Sequence, residues 1–276
     1  MTTKVAIVTG GNKGVGFGTV KGLAEKFDGD VFLTARDPLK GKEAMKKLED
    51  SGIKAKFHQL NIDDTESIDI FKQFLDANYG GIDVLINNAG INFKSPDDIG
   101  LQAETTVRTN YWSTKNVCDA LFPILRPGAR VVNVSSMNGS LTRIPEGELR
   151  KKLGSKDLER KELDALMTEF VTCAKSGTLK EKGWPESTYS VSKVGLSALS
   201  RIQQREFDSC PEKDLVVNHV HPGYVATDMT RHQGPLSVEE GAKSSIYAAL
   251  LPPKTDTRGH FIWEDCKSVP WGDEPQ

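Results

Sequence analysis

The chain has 276 residues, of which 37% are hydrophobic and 27% are charged. This is the composition of an ordinary globular protein, long enough for one large α/β domain or two smaller ones. The 36 basic and 38 acidic residues nearly balance, which argues against nucleic acid or a membrane surface as a partner, because both usually need a basic surface. We therefore expect a small-molecule ligand.

The cysteine pattern and the N-terminal sequence bear on the compartment. The four cysteines are widely spaced and form no CxxC pair, so we expect free thiols in a reducing compartment rather than disulfides or a metal site. The apolar run after Lys4 meets glycines too soon for a secretory signal, and no run reaches membrane-spanning length. The sequence thus predicts a cytoplasmic protein.

The first predicted element is a short apolar strand, Val5–Val8, which runs directly into a glycine-rich turn. Its unbroken hydrophobicity is typical of a strand buried on both faces of a parallel sheet. A helix is predicted from Gly14 to Phe27, and the free NH groups at its start would bind an anion. A flexible turn is the alternative, but both flanks favour a pyrophosphate cradle. The cradle residues are Gly10, Asn12, Lys13, Gly14, Val15 and Gly16.

The second strand, Asp30–Ala35, ends at Arg36. At this point of a dinucleotide-binding fold an acidic side chain binds the ribose 2'-hydroxyl, whereas an arginine accommodates a 2'-phosphate. Arg36 and Lys13 therefore favour NADP(H) over NAD(H). The alternative is that both are solvated surface charges, and Asp37 lies next to Arg36.

Strand and helix patterns alternate along the rest of the chain. This alternation predicts an α/β fold, a doubly wound parallel sheet (Rossmann fold) of about seven strands, in a single domain over 1–276. Ser237 and Glu240 have the spacing of a capping box, and the tail Asp273–Gln276 is expected to be disordered. Further strands are predicted at 54–60, 83–86, 130–134, 215–220 and 260–263, and helices at 38–52, 65–79, 103–122, 187–207 and 237–251.

Polar or small residues follow several of these strands. In a doubly wound sheet, ligands bind outside the carboxyl ends of the strands, so these residues are candidates for binding a dinucleotide. Asn110 lies near the middle of a predicted helix, where asparagine is slightly unfavourable and must find hydrogen-bond partners if buried. The strand-end candidates are Asn61, Ile62, Asn88, Ala89, Gly90, Ser136, Pro222, Gly223, Val225 and Thr227.

Tyr189 and Lys193 lie four residues apart at the start of a predicted helix, so both side chains lie on one face. A neighbouring cation favours the phenolate and lowers the pKa of a tyrosine towards the useful range. Such pairs also arise by chance in many helices. Directly before this helix, the segment of about 139–184 is too long for a plain loop, and it contains helical patterns at 149–153 and 158–174. We predict a helical insertion there.

Taken together, these motifs resemble those of the short-chain dehydrogenase/reductase family, and more narrowly its monomeric NADPH-dependent carbonyl reductases. The matching motifs are Thr9-Gly10-x-x-x-Gly14-x-Gly16, Asn87-Asn88-Ala89-Gly90, Asn110, Ser136, Tyr189-x-x-x-Lys193 and Pro222-Gly223. Two positions depart from that subgroup: Asn61 replaces an aspartate, and Tyr224 replaces a tryptophan that would line the substrate pocket.

The resemblance implies a catalytic tetrad. Tyr189 would protonate the carbonyl oxygen while NADPH delivers hydride, and Ser136 would hydrogen-bond that oxygen. Lys193 would lower the tyrosine pKa and bind the nicotinamide ribose, and Asn110 would support a proton-relaying water. Each of these residues has a structural interpretation on its own, but their joint occurrence favours catalysis. Met137 and Tyr224 join Ser136 and Tyr189 as substrate-binding candidates.

The resemblance predicts NADPH-dependent reduction of aldehydes, ketones or quinones. The alternatives are an alcohol, prostaglandin or steroid dehydrogenase on the same scaffold, or a catalytically silent NADP(H)-binding redox sensor. The insertion would cover the helices through which family members usually associate, so we expect a monomer. His219, His221 and Cys173 are interpreted as structural, because no partner at ligand spacing accompanies them.

Overall fold

The computed structural model describes residues 3–272. Its centre is an eight-stranded sheet with the order β3-β2-β1-β4-β5-β6-β7-β8. The predicted doubly wound sheet is confirmed, with seven parallel strands and an additional antiparallel edge strand. The strands are β1 (Val5–Val8), β2 (Asp30–Ala35), β3 (Lys56–Gln59), β4 (Ile82–Asn87), β5 (Leu125–Val134), β6 (Val216–Val220), β7 (Phe261–Ile262) and β8 (Ser268–Val269).

Helices cover both faces of this sheet. Because successive strand side chains point to opposite faces, Ala6 and Val8 pack beneath the helices at 14–24, 38–50 and 238–249, whereas Val5 and Ile7 pack beneath those at 65–79 and 114–121. The helices are α1 (Gly14–Ala24), α2 (Pro38–Asp50), α3 (Thr65–Tyr79), α4 (Ile99–Val107), α5 (Thr114–Leu121), α6 (Glu148–Gly154), α7 (Arg160–Ser176), α8 (Thr188–Phe207) and α9 (Val238–Ala249).

The helix predicted at 103–122 differs from the structure in its start and in its continuity. It begins at Ile99, because the side chain of Asp98 accepts a hydrogen bond of 2.8 Å from the Leu101 NH and caps α4. Its middle is a π-helical turn, Arg108–Ser113, that separates α4 from α5. Such turns are rare and occur frequently at functional sites.

Helices α6 and α7 lie in the segment that precedes the catalytic-helix candidate α8. Helix α7 packs on α4 and α8, and the Tyr111 hydroxyl donates a hydrogen bond of 2.7 Å to Asp164. At Gly195 of α8 an added Cβ would lie only 2.4 Å from the Met167 sulfur, so the glycine permits this close approach. The segment is thus part of the same hydrophobic core as α8.

Several smaller expectations can be compared with the structure. The capping box at the start of α9 is confirmed, since Ser237 and Glu240 exchange hydrogen bonds of 2.8 and 3.1 Å. All four cysteines are free thiols. Within residues 3–272, no helix combines the length and apolarity needed to cross a membrane. The disorder predicted for Asp273–Gln276 concerns residues outside the described range.

Candidate active site

The parallel register brings the ends of four strands to one edge of the sheet. Val8 pairs with Ile86, Asn87 pairs with Asn133, and Val134 pairs with Val220. The residues that follow these strands are therefore neighbours in space although they are far apart in sequence. This edge contains the glycine-rich turn, the Asn88–Gly90 segment, Ser136 and the Pro222–Gly223 loop.

The glycine-rich turn has the shape of a phosphate cradle. Gly10 and Gly14 have φ angles of +63° and +55°, which favour glycine. A Cβ on Gly16 would lie 2.4 Å from the Asn88 Nδ2 and 2.5 Å from the Gly10 carbonyl oxygen. Lys13 is the N-cap residue of α1, and its side chain makes no capping hydrogen bond within residues 3–272. The turn thus combines close backbone approach with uncapped NH groups, as a dinucleotide pyrophosphate requires.

Hydrogen bonds between β1 and β4 hold this cradle in place. The Thr9 hydroxyl oxygen accepts from the backbone NH groups of Asn88 and Ala89, both at 3.0 Å. The Asn88 amide in turn donates to the carbonyl oxygens of Thr9 and Gly10, at 2.9 and 3.2 Å. Asn87 points elsewhere, and its amide donates 2.8 Å to Asn133 in β5. The side chain of Asn88 therefore stabilises the cradle, whereas the side chain of Asn87 links β4 to β5.

The predicted 2'-phosphate cations differ in their surroundings. Arg36 is exposed at the end of β2, and Asp37 beside it accepts a hydrogen bond of 2.9 Å from the Leu39 NH as the N-cap of α2. Lys13 forms an ion pair of 2.7 Å with Asp228 from the loop after β6. The carboxylate of Asp37 is therefore committed to a helix cap, while the charge of Lys13 is shared with a residue that the sequence interpretation had not considered.

The adenine candidates lie at the carboxyl end of β3. Asn61 is partly exposed, and its side-chain oxygen accepts a hydrogen bond of 3.3 Å from the Asp63 NH. Ile62 is buried, with 9% of its surface exposed. The backbone NH of Asn61 donates 2.9 Å to the Ser67 hydroxyl, which fixes the turn into α3.

Asn110 lies in the π-helical turn and is 1% exposed. Its side chain exchanges two hydrogen bonds with the backbone of Ile91, at 2.8 and 2.9 Å, and donates 3.0 Å to the Ser192 hydroxyl. Ser192 in turn donates 2.8 Å to the carbonyl oxygen of Tyr189. This chain of bonds joins Gly90 and its neighbours to the helix that contains Tyr189. Sequence reasoning had not singled out Ser192.

Lys193 is buried beside the same glycine. An added Cβ on Gly90 would lie 3.1 Å from the Asn110 Oδ1 and 3.4 Å from the Lys193 Nζ, so both side chains converge on this position. The ammonium donates 2.8 Å to the Val134 carbonyl oxygen at the end of β5. Burial lowers the pKa of Lys193 to about 8. The group is still mostly cationic at neutral pH and retains further donors for a ligand.

Tyr189 lies at the start of α8 and is partly exposed, like Ser136. The Lys193 Nζ is 5.9 Å from the Tyr189 ring centroid. Burial raises the pKa of Tyr189, contrary to the predicted lowering by Lys193, whereas a hydrogen bond with Ser136 acts to lower it. The direction differs because loss of hydration disfavours the phenolate more than its neighbours stabilise it.

The predicted substrate residues Met137 and Tyr224 are 41% and 50% exposed. A third side chain, Met229, was missed: the Tyr189 hydroxyl lies 3.9 Å from its sulfur. Met229 is 40 positions from Tyr189 in sequence, and no motif links the two. The loop after β6 that contains Met229 reaches both the tyrosine and the glycine-rich turn, because Thr227 would contact a Cβ on Gly14 at 3.3 Å.

The remaining predicted residues of this loop are placed between β6 and α9. Val225 is buried and pairs with Leu236 in an isolated parallel bridge. Pro222 and Gly223 are partly exposed, and Gly223 has a φ of +82°. The predicted strand-end residues thus follow the carboxyl ends of neighbouring strands, from β3 across to the loop after β6.

Comparison with known proteins identifies the family of this chain. Residues 4–146 match the family model for short chain dehydrogenases. The rat protein named carbonyl reductase [NADPH] 1 is 45% identical over 97% of this chain and 98% of its own length, and mouse carbonyl reductase [NADPH] 3 is 44% identical over 94% and 96%. Salutaridine reductase from Papaver somniferum has a similar structure, with a TM-score of 0.85 and 30% identity over 95% of this chain and all of that one. This chain therefore belongs to the short-chain dehydrogenase family.

Proposed function

We propose that this protein reduces the carbonyl groups of aldehydes, ketones or quinones to alcohols with NADPH. The observation that carries the proposal is the convergence of Asn110, Lys193 and the Tyr189 helix on Gly90, beside the glycine-rich cradle. The names of the full-length relatives at 44–45% identity support the same activity and the same cofactor. Exposed Arg36 supports NADPH over NADH, because Asp37 is occupied as a helix cap.

NADPH supplies the hydride when it is bound. The first task of the chain is to hold that cofactor, for which the NH groups at the start of α1 would bind the pyrophosphate and Arg36 would bind the 2'-phosphate. Lys193 would hold the nicotinamide ribose through donors that its bond to the Val134 carbonyl leaves free. Asn110, fixed on Ile91 and Ser192, keeps the intervening backbone in place.

The second task is to give a proton to the carbonyl oxygen. We assign this to Tyr189, with Ser136 hydrogen-bonded to the same oxygen as its negative charge develops. The raised pKa keeps the Tyr189 hydroxyl protonated at neutral pH, as a proton donor must be. The same group would act as the base in the reverse reaction, so measured rates in the two directions decide between a reductase and the dehydrogenase alternative.

The direct test is NADPH consumption by the purified protein with quinones, α-dicarbonyls, aromatic aldehydes, steroids and prostaglandins. We expect turnover with NADPH and much less with NADH. At neutral pH, carbonyl reduction should be faster than oxidation of the corresponding alcohol. NADPH binding without turnover of any carbonyl would instead support the silent redox sensor. Dominant oxidation of alcohols would support the dehydrogenase alternative.

We also propose that the protein is a monomer in the cytoplasm. Helix α7 covers faces of α4 and α8 that would otherwise be open to a second subunit. Free cysteines, two of them buried, suit a reducing compartment. Light scattering should give the mass of one chain, about 30.3 kDa, and a stable tetramer would contradict the monomer.

A further inference from the structure

His221 immediately precedes the Pro222–Gly223 loop and is 5% exposed. Its backbone is anchored on both sides: its NH donates 2.8 Å to the Ile262 carbonyl oxygen of β7, and its carbonyl oxygen accepts 3.2 Å from the Ser244 hydroxyl of α9. No partner for this histidine was predicted from the sequence. In the fold its ring lies against Trp263, with centroids 5.3 Å apart and the planes nearly perpendicular.

The hydrogen bonds of this ring fix its tautomer. The Gly223 NH donates 3.3 Å to the Nδ1 atom of His221. A backbone NH is always a donor, so Nδ1 must be unprotonated and Nε2 carries the hydrogen of the neutral ring. Nε2 lies 3.6 Å from the Oε2 atom of Glu264, an oxygen that is buried and has no hydrogen-bond partner in residues 3–272. The imidazole thus connects the Gly223 backbone with the Glu264 carboxylate.

Gly223 itself has little freedom to move. Its φ of +82° is a conformation that favours glycine. An added Cβ would lie 2.3 Å from the Leu236 Cδ1 and 3.3 Å from the Glu264 Cβ. Leu236 on one side and Glu264 on the other therefore confine the backbone whose NH is held by His221.

We propose that His221 and Glu264 are positioning residues that hold the Pro222–Gly223 loop in the conformation that receives the nicotinamide end of NADPH. The inference rests on the proposed function, in which this loop lines the cofactor site. Neither side chain needs to touch the reacting atoms. The imidazole fixes the Gly223 NH, and Glu264 packs against Gly223 and orients the imidazole.

Protonation of His221 should make the hydrogen bond to Gly223 depend on pH. Protonated Nδ1 has no lone pair, so the imidazolium cannot accept the Gly223 hydrogen bond. Burial lowers the pKa of His221, and the charge of Glu264 acts in the opposite direction. Glu264 is the charged group that faces the ring; Ser244 from α9 and Trp263 are uncharged. The bond to Gly223 is therefore intact at neutral pH and is lost as the pH falls through the lowered pKa.

Two matched substitutions test the roles of the two ring nitrogens of His221 separately. In His221→Asn, the Oδ1 atom occupies roughly the place of Nδ1 and can still accept from the NH two residues ahead, as in an Asx turn. In His221→Gln, a polar group remains near Nε2, but the acceptor for Gly223 is lost. NADPH affinity should be measured by fluorescence titration from pH 5 to 8, together with kcat and the KM for NADPH.

We expect the Gln variant to weaken NADPH binding by about tenfold at neutral pH, with a smaller change in kcat, the size of effect typical of one lost hydrogen bond. The Asn variant should bind NADPH within about twofold of the wild type at neutral pH and should lose less affinity than the wild type in acid, where only the 2'-phosphate of the cofactor still titrates. Glu264→Gln should move that loss to lower pH, because removing the carboxylate charge lowers the pKa of the imidazole further.

The experiment distinguishes failure of the positioning role from failure of the proposed function. If the wild-type protein does not bind NADPH, the proposed function is wrong. If the wild type binds NADPH and the Asn, Gln and Glu264→Gln variants share its affinity and pH profile, the positioning role is overturned. Should the Gln variant not fold, the wild type and the Asn variant still decide the question, since parallel acid profiles would exclude His221 as the titrating group.

Discussion

The two halves of the candidate site use hydrogen bonds differently. In the cradle, Thr9, Asn88 and Asn110 are bonded to backbone groups at 2.8–3.2 Å, so their side chains have little capacity left. In the reaction corner, which consists of Ser136, Tyr189 and Met229, the serine and the tyrosine are partly exposed; the tyrosine hydroxyl interacts with Ser136 and lies 3.9 Å from the Met229 sulfur. The cradle residues stabilise a shape, whereas the corner residues keep bonding capacity for a substrate. Substitutions of the hydrogen-bonded cradle residues should therefore lower the stability of the fold, whereas substitutions of Ser136 or Tyr189 should lower turnover.

The largest effect is expected for Tyr189→Phe. It removes the proposed proton donor and should lower kcat for carbonyl reduction by about 10²- to 10⁴-fold, the usual contribution of general acid catalysis. NADPH affinity and the free energy of unfolding should stay close to wild-type values, because the hydroxyl contributes little to either. Single-turnover kinetics and cofactor titration measure both. A near-normal kcat would remove Tyr189 from the mechanism.

Next in size is Arg36→Ala, which tests whether the cation at the end of β2 selects NADPH over NADH. Loss of a charged partner of the 2'-phosphate should weaken NADPH by about 10- to 100-fold, while NADH affinity changes little. Lys40→Ala removes another exposed cation in the first turn of α2 and serves as the matched control. Equal losses for the two cofactors would overturn the assignment of Arg36.

Thr9→Val should destabilise the fold by about 1 kcal/mol, the usual net contribution of one intramolecular hydrogen bond. The Ala89 NH would lose its acceptor, whereas the Asn88 NH would retain the Ile86 carbonyl at 3.1 Å. Thr19→Val is the control, since this hydroxyl only donates to a carbonyl within α1. Denaturant unfolding should show a clearly smaller loss for the control; equal losses would mean that the Thr9 bonds add no stability.

The smallest effect concerns His219, a buried polar side chain with no function assigned. Neither ring nitrogen has a hydrogen-bond partner in residues 3–272, and the ring stacks on Phe261 at 4.8 Å. Burial lowers its pKa well below the ordinary value. The folded protein thus keeps this ring neutral while the unfolded chain binds a proton below about pH 6.5. Stability is full above that pH and is lost as the pH falls, by about 1.4 kcal/mol per pH unit.

His219→Phe should remove this share of the acid sensitivity while preserving the stacking. Unfolding free energies at pH 5.5 and 7 should differ less for the variant than for the wild type. Identical pH dependence in the two proteins would show that other groups dominate acid unfolding.

Most of the fold was predictable because its signals are local. The unbroken apolar strands, the helical periodicities and the capping box of Ser237 are properties of neighbouring residues, and they located the main elements to within a few positions. The antiparallel strand β8 was missed, since two residues carry no pattern. The π-helical turn at Asn110 was also missed, because its sequence resembles that of the surrounding α-helix.

The site was predictable where topology alone brings residues together. Parallel strands end at one edge, so the glycines, Asn88 and Ser136 could be grouped before any coordinates were known. Met229, Asp228 and the His221–Glu264 contact could not, since each joins segments that no repeat or motif connects. Their positions depend on how the loop after β6 folds back over the sheet.

The sequence by itself determined the order of strands and helices, the glycine-rich cradle and the spacing of Tyr189 and Lys193, since these follow from backbone conformation and helix geometry. Only the tertiary structure decided the protonation behaviour of these groups. The charge of Lys193 predicted a lowered pKa for Tyr189, but burial raised it. A titrating group loses hydration only when segments distant in sequence pack around it. Its pKa shift therefore depends on the tertiary structure and cannot be deduced from its neighbours in sequence.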